Sequence, residues 1–128
     1  MDLDLRGFEA GDHVPIRDQA ACRWLNLRGE LVAFCIALNQ KAGWPVLRWD
    51  DNPNPLRVWR EDGADLTIFY MNDFHRVNFS DSSKGWECDY ELRIKRESNR
   101  ASWFGMEKSR SDTDESIAEL MIRKLLRS

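Results

Sequence analysis

Trp86-Glu87-Cys88-Asp89-Tyr90-Glu91-Leu92-Arg93-Ile94-Lys95 is the stretch on which the fold turns, because apolar and charged side chains alternate through it without exception. Successive side chains on a strand point to opposite faces, so this period of two predicts a β-strand with one dry face and one wet face. A parallel strand covered on both sides reads as a continuous apolar run instead, so the alternation also predicts an antiparallel sheet open to water on one side. Glu87, Asp89 and Glu91 lie in a row on the wet face, with Cα atoms stepping by about 6.8 Å.

Working upstream, the turn Ser80–Gly85 separates this strand from another expected over Phe74–Phe79, and Asn72-Asp73 separates that one from Leu66–Met71. Asp62-Gly63 is a hairpin signal joining Leu66–Met71 to Leu56–Arg60. Before it, Asp51-Asn52-Pro53-Asn54-Pro55 forces a loop, since its two prolines cannot donate to a ladder, and Val46–Trp49 precedes that loop as a further strand. Downstream, Glu97-Ser98-Asn99-Arg100 turns the chain into a strand over Ala101–Met106.

Helices flank the strands. From Ile16 to Ala42, Ala21, Trp24, Leu25, Leu31, Val32, Cys35 and Leu38 recur at spacings of three and four, and Gly43 with Pro45 supplies a stop. Gly29 is a weak point that divides this segment into two helices on a propensity argument, and the unbroken apolar run Leu31–Leu38 predicts cover on more than one side. The last helix runs from Thr113 to Arg127, with Asp112 as its expected cap and Ile117, Leu120, Met121 and Leu125 as its buried stripe. Residues 1–15 are broken by Gly7, Gly11 and Pro15, with Leu3, Leu5 and Phe8 as a short extended segment.

The expected architecture is therefore a single α+β domain over residues 1–128. An antiparallel, meander-like sheet of five or six strands carries an N-terminal helical region and a C-terminal helix packed on one face. At 128 residues the chain can bury roughly two thirds of its extended surface, enough for a core without staples.

Composition limits the function. With 22 acidic and 19 basic side chains the net charge is -3, and acids interleave with the basic residues Arg57, Arg60, Arg93, Lys95, Arg96, Arg100 and Lys108, which argues against a nucleic-acid face. No apolar run reaches the ~20 residues of a membrane span, and the acidic Met1-Asp2-Leu3-Asp4-Leu5 is unlike a signal peptide. Three cysteines, Cys22, Cys35 and Cys88, are an odd number and favour a reducing compartment, so the expectation is a cytoplasmic protein with buried thiols. Cys22 and Cys35 on one helix stand about 20 Å apart, beyond disulfide reach. Asn78-Phe79-Ser80 matches the glycosylation pattern, but the free thiols point to the wrong compartment.

Chemistry-bearing motifs are absent: there is no His-Glu-x-x-His, no EF-hand spacing, no Walker loop, no Gly-x-Gly-x-x-Gly and no nucleophile elbow. No metal or cofactor is expected. Asp112, Asp114 and Glu115 read as helix-capping acids rather than cation ligands, and Asp50, Asp51, Asp62 and Asp65 read as turn residues. Asp73 and His75 share a face if their stretch is a strand, and His75 is the one acid or base available to the alternative reading, a small-ligand-binding domain or enzyme with a pocket between sheet and helices. The first reading is a protein-binding module, immunity- or inhibitor-like, that covers a partner's surface. Glu87, Asp89 and Glu91 form its charged element toward a basic partner surface, and Trp49 and Trp59, set among charges, are its anchors. Arg57, Arg76 and Arg93 are the internal compensators that compete for the same acids. A homo-oligomer is a third reading.

Overall fold

The computed structural model describes residues 13–50, 52–71, 75–81, 85–95, 98–107 and 110–127. The Leu3–Phe8 segment, Asp51, Asp73, Arg96 and Lys108 lie outside these residues. The order of elements is α1 (His13–Ala42), β1 (Leu47–Trp49), β2 (Leu56–Arg60), β3 (Asp65–Met71), β4 (Arg76–Asp81), β5 (Trp86–Lys95), β6 (Arg100–Gly105), β7 (Arg110–Asp112) and α2 (Asp114–Leu126). The seven strands form one antiparallel sheet in the order β1-β2-β3-β4-β5-β6-β7, a pure meander.

β5 is the spine of that sheet. Its first half, Trp86–Glu91, pairs with β4, and its second half, Tyr90–Lys95, pairs with β6. Among the described residues Tyr90 and Glu91 therefore have ladder partners on both sides, and the meander steps along β5 as it crosses. The alternation places Tyr90 and Leu92 fully inside, beside Phe79, Val77 and Trp103. Both helices cover this face. Trp24 of α1 stacks on Tyr70 of β3, and Lys124 of α2 sits over the ring of Trp86 at 4.6 Å.

Side-chain amides fasten α1 to the sheet at both ends. Asn39 donates to the Leu47 carbonyl and accepts from the Leu47 N–H, while Gln19 donates to the Asn99 carbonyl and accepts from the Ala101 N–H. Each amide imitates one rung of a ladder and satisfies two backbone groups at a strand's start. Asn54 repeats the device on Tyr70. Between these ends, Trp24 donates to the Pro53 carbonyl and Arg28 to the Asn52 carbonyl, which ties the proline loop to the helix.

Several expectations need correction. The sheet has seven strands, not five or six, because Arg110-Ser111-Asp112 pairs on β6 although its sequence has no apolar alternation. β4 covers Arg76–Asp81 rather than Phe74–Phe79, the burial of Asp81 carrying the strand into the expected turn. α1 is one helix: Gly29 is exposed and a Cβ there would meet nothing within 4 Å, so the glycine costs about 1 kcal/mol relative to Ala without breaking the rod. The run Leu31–Leu38 is covered on one side only, with Ala33, Ile36 and Ala37 exposed. The cap of α2 is Thr113, whose Oγ1 accepts from the Ser116 N–H, and Asp112 belongs to β7. Cys22 is exposed, whereas Cys35 and Cys88 are buried, and none of the three forms a disulfide.

Candidate protein-binding face

With both helices on one side, the other side of the sheet is left uncovered by the described residues. The ladder registers define its rows. One row runs Met71, Arg76, Glu91, Phe104, Ser111, and the next runs Phe69, Asn78, Asp89, where the Met106 N–H bonds to the Asp89 carbonyl and extends the row to β6. Toward the β1 edge, Arg48 lies opposite Trp59, and Trp59 opposite Asp65.

The acids expected in a stripe share this outer face, but they have different surroundings. Glu91 is 1% exposed. Arg93 donates to it through Nε at 2.5 Å, Arg76 reaches it at 3.4 Å, and the Arg93 guanidinium lies 3.7 Å over the Phe104 ring. Its carboxylate is thus a buried counter-ion that fixes two arginines. Asp89 is half-buried and accepts from the Asn78 amide at 2.9 Å. Glu87 is exposed, across from Ser80. Arg57, offered as a compensator, serves Asp65 instead at 2.5 Å, and Asp65 holds its guanidinium above the ordinary arginine range.

Trp59 faces outward, half-buried, with the Arg57 guanidinium 5.7 Å from its ring. Trp49 follows the alternation of Leu47 to the core-facing side of β1 and packs against the core. The two rings nevertheless line one shallow groove of about 320 Å³ at the β1 edge, together with Asn39, Pro45 and Arg48.

This face also has an apolar part, which the alternation of β5 does not reveal. Phe69 is 44% exposed and Met106, also exposed, ends the same row beside Asp89, while Phe104 is half-buried under Arg93. Phe69 sits in Asp65-Leu66-Thr67-Ile68-Phe69-Tyr70-Met71, where Leu66, Ile68 and Tyr70 are the inward set. Counting parity from those three puts Phe69 outside.

A separate cleft of about 380 Å³ opens where α1, β6, β7 and the start of α2 meet. Arg23, Arg100, Ser102, Ser111, Thr113 and Asp114 are on its wall. Arg23 grips both oxygens of Asp114 at 3.0 and 3.1 Å. Burial nevertheless pushes the Asp114 carboxyl above the usual carboxylate range, outweighing Arg23, the Trp103 indole N–H and Arg100, which pull it down. His75 is buried, with φ at 51° in the turn entering β4, and it is not on the wall of this cleft. Burial also pushes the Cys35 thiol up to about 12, so it stays protonated at neutral pH. Among the described residues there is no group of three or more His, Cys, Asp or Glu placed to hold a metal ion, and no helix is long and apolar enough to cross a membrane.

Searches of protein-family models, of curated proteins and of solved structures found nothing that matches this chain.

Proposed function

We propose that this protein is a binding module that inhibits or regulates another protein by covering part of its surface with the open face of the sheet. One observation carries the reading: a sheet face that neither α1 nor α2 covers presents Phe69, Met106, Trp59 and Phe104 among arginines held in place by acids. Exposed aromatic, methionine and arginine side chains are what protein interfaces concentrate at their centres, and fixing Arg57, Arg76 and Arg93 beforehand lowers the ordering cost of binding. From β2 to β6 the face is about 20 Å wide and along β3 about 24 Å long, a projected footprint near 480 Å² before side-chain relief is added. That approaches the ~800 Å² per partner of a standard interface.

Glu87 with Asp89 forms the acidic end of this surface and would meet a basic group of the partner. Glu91 supports the contact from beneath by orienting Arg76 and Arg93. The test is affinity for the partner of a Trp59→Ala, Phe69→Ala double variant. It is expected to fall at least about tenfold, as truncation of hot-spot aromatics does, with thermal unfolding unchanged; unaltered affinity refutes the reading.

The cleft beside Arg23 and Arg100 favours a second reading, a small polar ligand held between α1 and the start of α2. Its test is whether Arg100→Ala abolishes a ligand-induced rise in unfolding temperature found by screening small metabolites.

A further inference from the structure

The large apolar side chains exposed among the described residues fall into two groups: Phe69 and Met106 lie on the sheet face, and Val14, Leu25, Ile36 and Trp44 lie along or just beyond α1, on the far side of the molecule. From Ala21 to Gln40 the exposed positions of α1 are Ala21, Cys22, Leu25, Asn26, Gly29, Ala33, Ile36, Ala37 and Gln40. None is charged, in a chain where 32% of residues are. A solvated helix face ordinarily carries the charges, so this one has the composition of a covered face. We infer that α1 pairs with α1 of a second copy of this chain, antiparallel, about a two-fold axis passing close to Gly29.

The sequence of the face fits that axis. Antiparallel pairing centred on Gly29 sets Leu25 against Ala33, Cys22 against Ile36 and Ala21 against Ala37, a large residue against a small one at the first two contacts. Such an isologous interface is self-complementary, as a closed dimer requires. At the centre the two Gly29 residues meet without side chains, which allows the close approach of helix axes that small residues permit. Among the described residues nothing needs that glycine, since a Cβ on it would meet nothing within 4 Å. Charge agrees. Asp18, at one end of the face, comes beside Gln40 and Lys41 of the other copy, whereas a parallel pair would set Asp18 against Asp18 and align the two helix dipoles.

The area is sufficient. From Val14 to Trp44 the face runs about 45 Å along a rod about 12 Å across, a projected footprint near 540 Å² per copy. Twice that, with side-chain relief added, reaches the ~1,200 Å² at which specific interfaces begin, so the pair is expected to form at micromolar concentration. The sheet face stays free on the outside of each copy, so the dimer presents two binding faces.

The experiment uses the full chain. Sedimentation equilibrium is expected to show the mass rising from 15.1 kDa toward twice that value between about 1 and 300 µM. Leu25→Glu, at a position 60% exposed, is expected to hold the chain monomeric at 300 µM with unchanged circular dichroism. Cysteine chemistry then reads the register. Facing Cα atoms on axes 8–10 Å apart come within disulfide range, so Ile36→Cys is expected to cross-link with the native Cys22 of the other copy under mild oxidation. Val14→Cys, on the same face but about 33 Å from that contact along the axis, is expected to cross-link at least tenfold more slowly. A monomeric mass throughout the range overturns the proposal. So does a Cys22-to-Cys22 disulfide in the unmodified protein, which only a parallel or irregular contact brings together.

Discussion

The Glu91 carboxylate accepts a 2.5 Å hydrogen bond from Nε of Arg93, two residues along the same strand, and is 1% exposed although it belongs to the face of the sheet that no helix covers. Arg76 on β4 and the Phe104 ring under Arg93 on β6 close over it. This is possible at Glu91 because it and Tyr90 are the residues of β5 with strand partners on both sides, so neighbours can fold over it from left and right.

Removing the charge of Glu91 tests its role as an anchor. Glu91→Gln keeps shape and one acceptor but no longer neutralises Arg76 and Arg93. Both arginines keep contact with water, so the expected loss is about 1–2 kcal/mol in urea unfolding rather than the larger cost of stranding fully buried charges. A change below about 0.3 kcal/mol contradicts the anchoring.

Reversing the two acids that do face outward tests steering. Glu87→Lys with Asp89→Lys is expected to slow association with the partner about three- to tenfold at low salt and to flatten its ionic-strength dependence, with a smaller change in the dissociation rate. An unchanged association rate at low salt removes Glu87 and Asp89 from the site.

Asp114 gives a pH dependence of known sign. Its carboxyl is raised in the folded state by burial, so ionising it opposes folding. The stability it contributes is full below the unfolded value near 3.9 and is lost as pH rises through the higher folded value. Asp114→Asn cannot titrate. Relative to that variant, the native protein is expected to lose stability as pH rises from 3 toward 6, measured by urea unfolding at each pH. A native protein that instead gains on the variant over that interval contradicts the assignment.

Much of the fold could be read before any coordinates, and the legible parts have a common cause. β5 from Trp86 to Lys95, β2 from Leu56 to Arg60 and the stripe of α2 all follow from burial on one face, which writes a period into the sequence. β7 was not legible because Arg110-Ser111-Asp112 owes its pairing to β6 and not to its own side chains. The cap of α2 differs by one residue from the expected Asp112 because Asp outranks Thr as a cap by type, whereas the Thr113 hydroxyl has the geometry. At the candidate face, parity locates Glu87, Asp89 and Glu91, but it treats every outward position as wet. Glu91 departs from that rule because long arginine side chains lie down over it, an effect that depends on partners from β4 as well as β5. Trp49 and Trp59 stand out alike by their charged neighbours in sequence, whereas strand parity turns Trp59 outward and Trp49 toward the core.

The most direct measurement places a photo-activated cross-linking amino acid at Phe69, and in a parallel sample at Glu119 on the exposed side of α2, in the protein expressed in its native cell. The account predicts one discrete protein adduct from position 69, lost when Trp59 is also replaced by Ala, and none of that mass from position 119. The same adduct forming from position 119 alone, or surviving at position 69 with undiminished yield after Trp59→Ala, would contradict it.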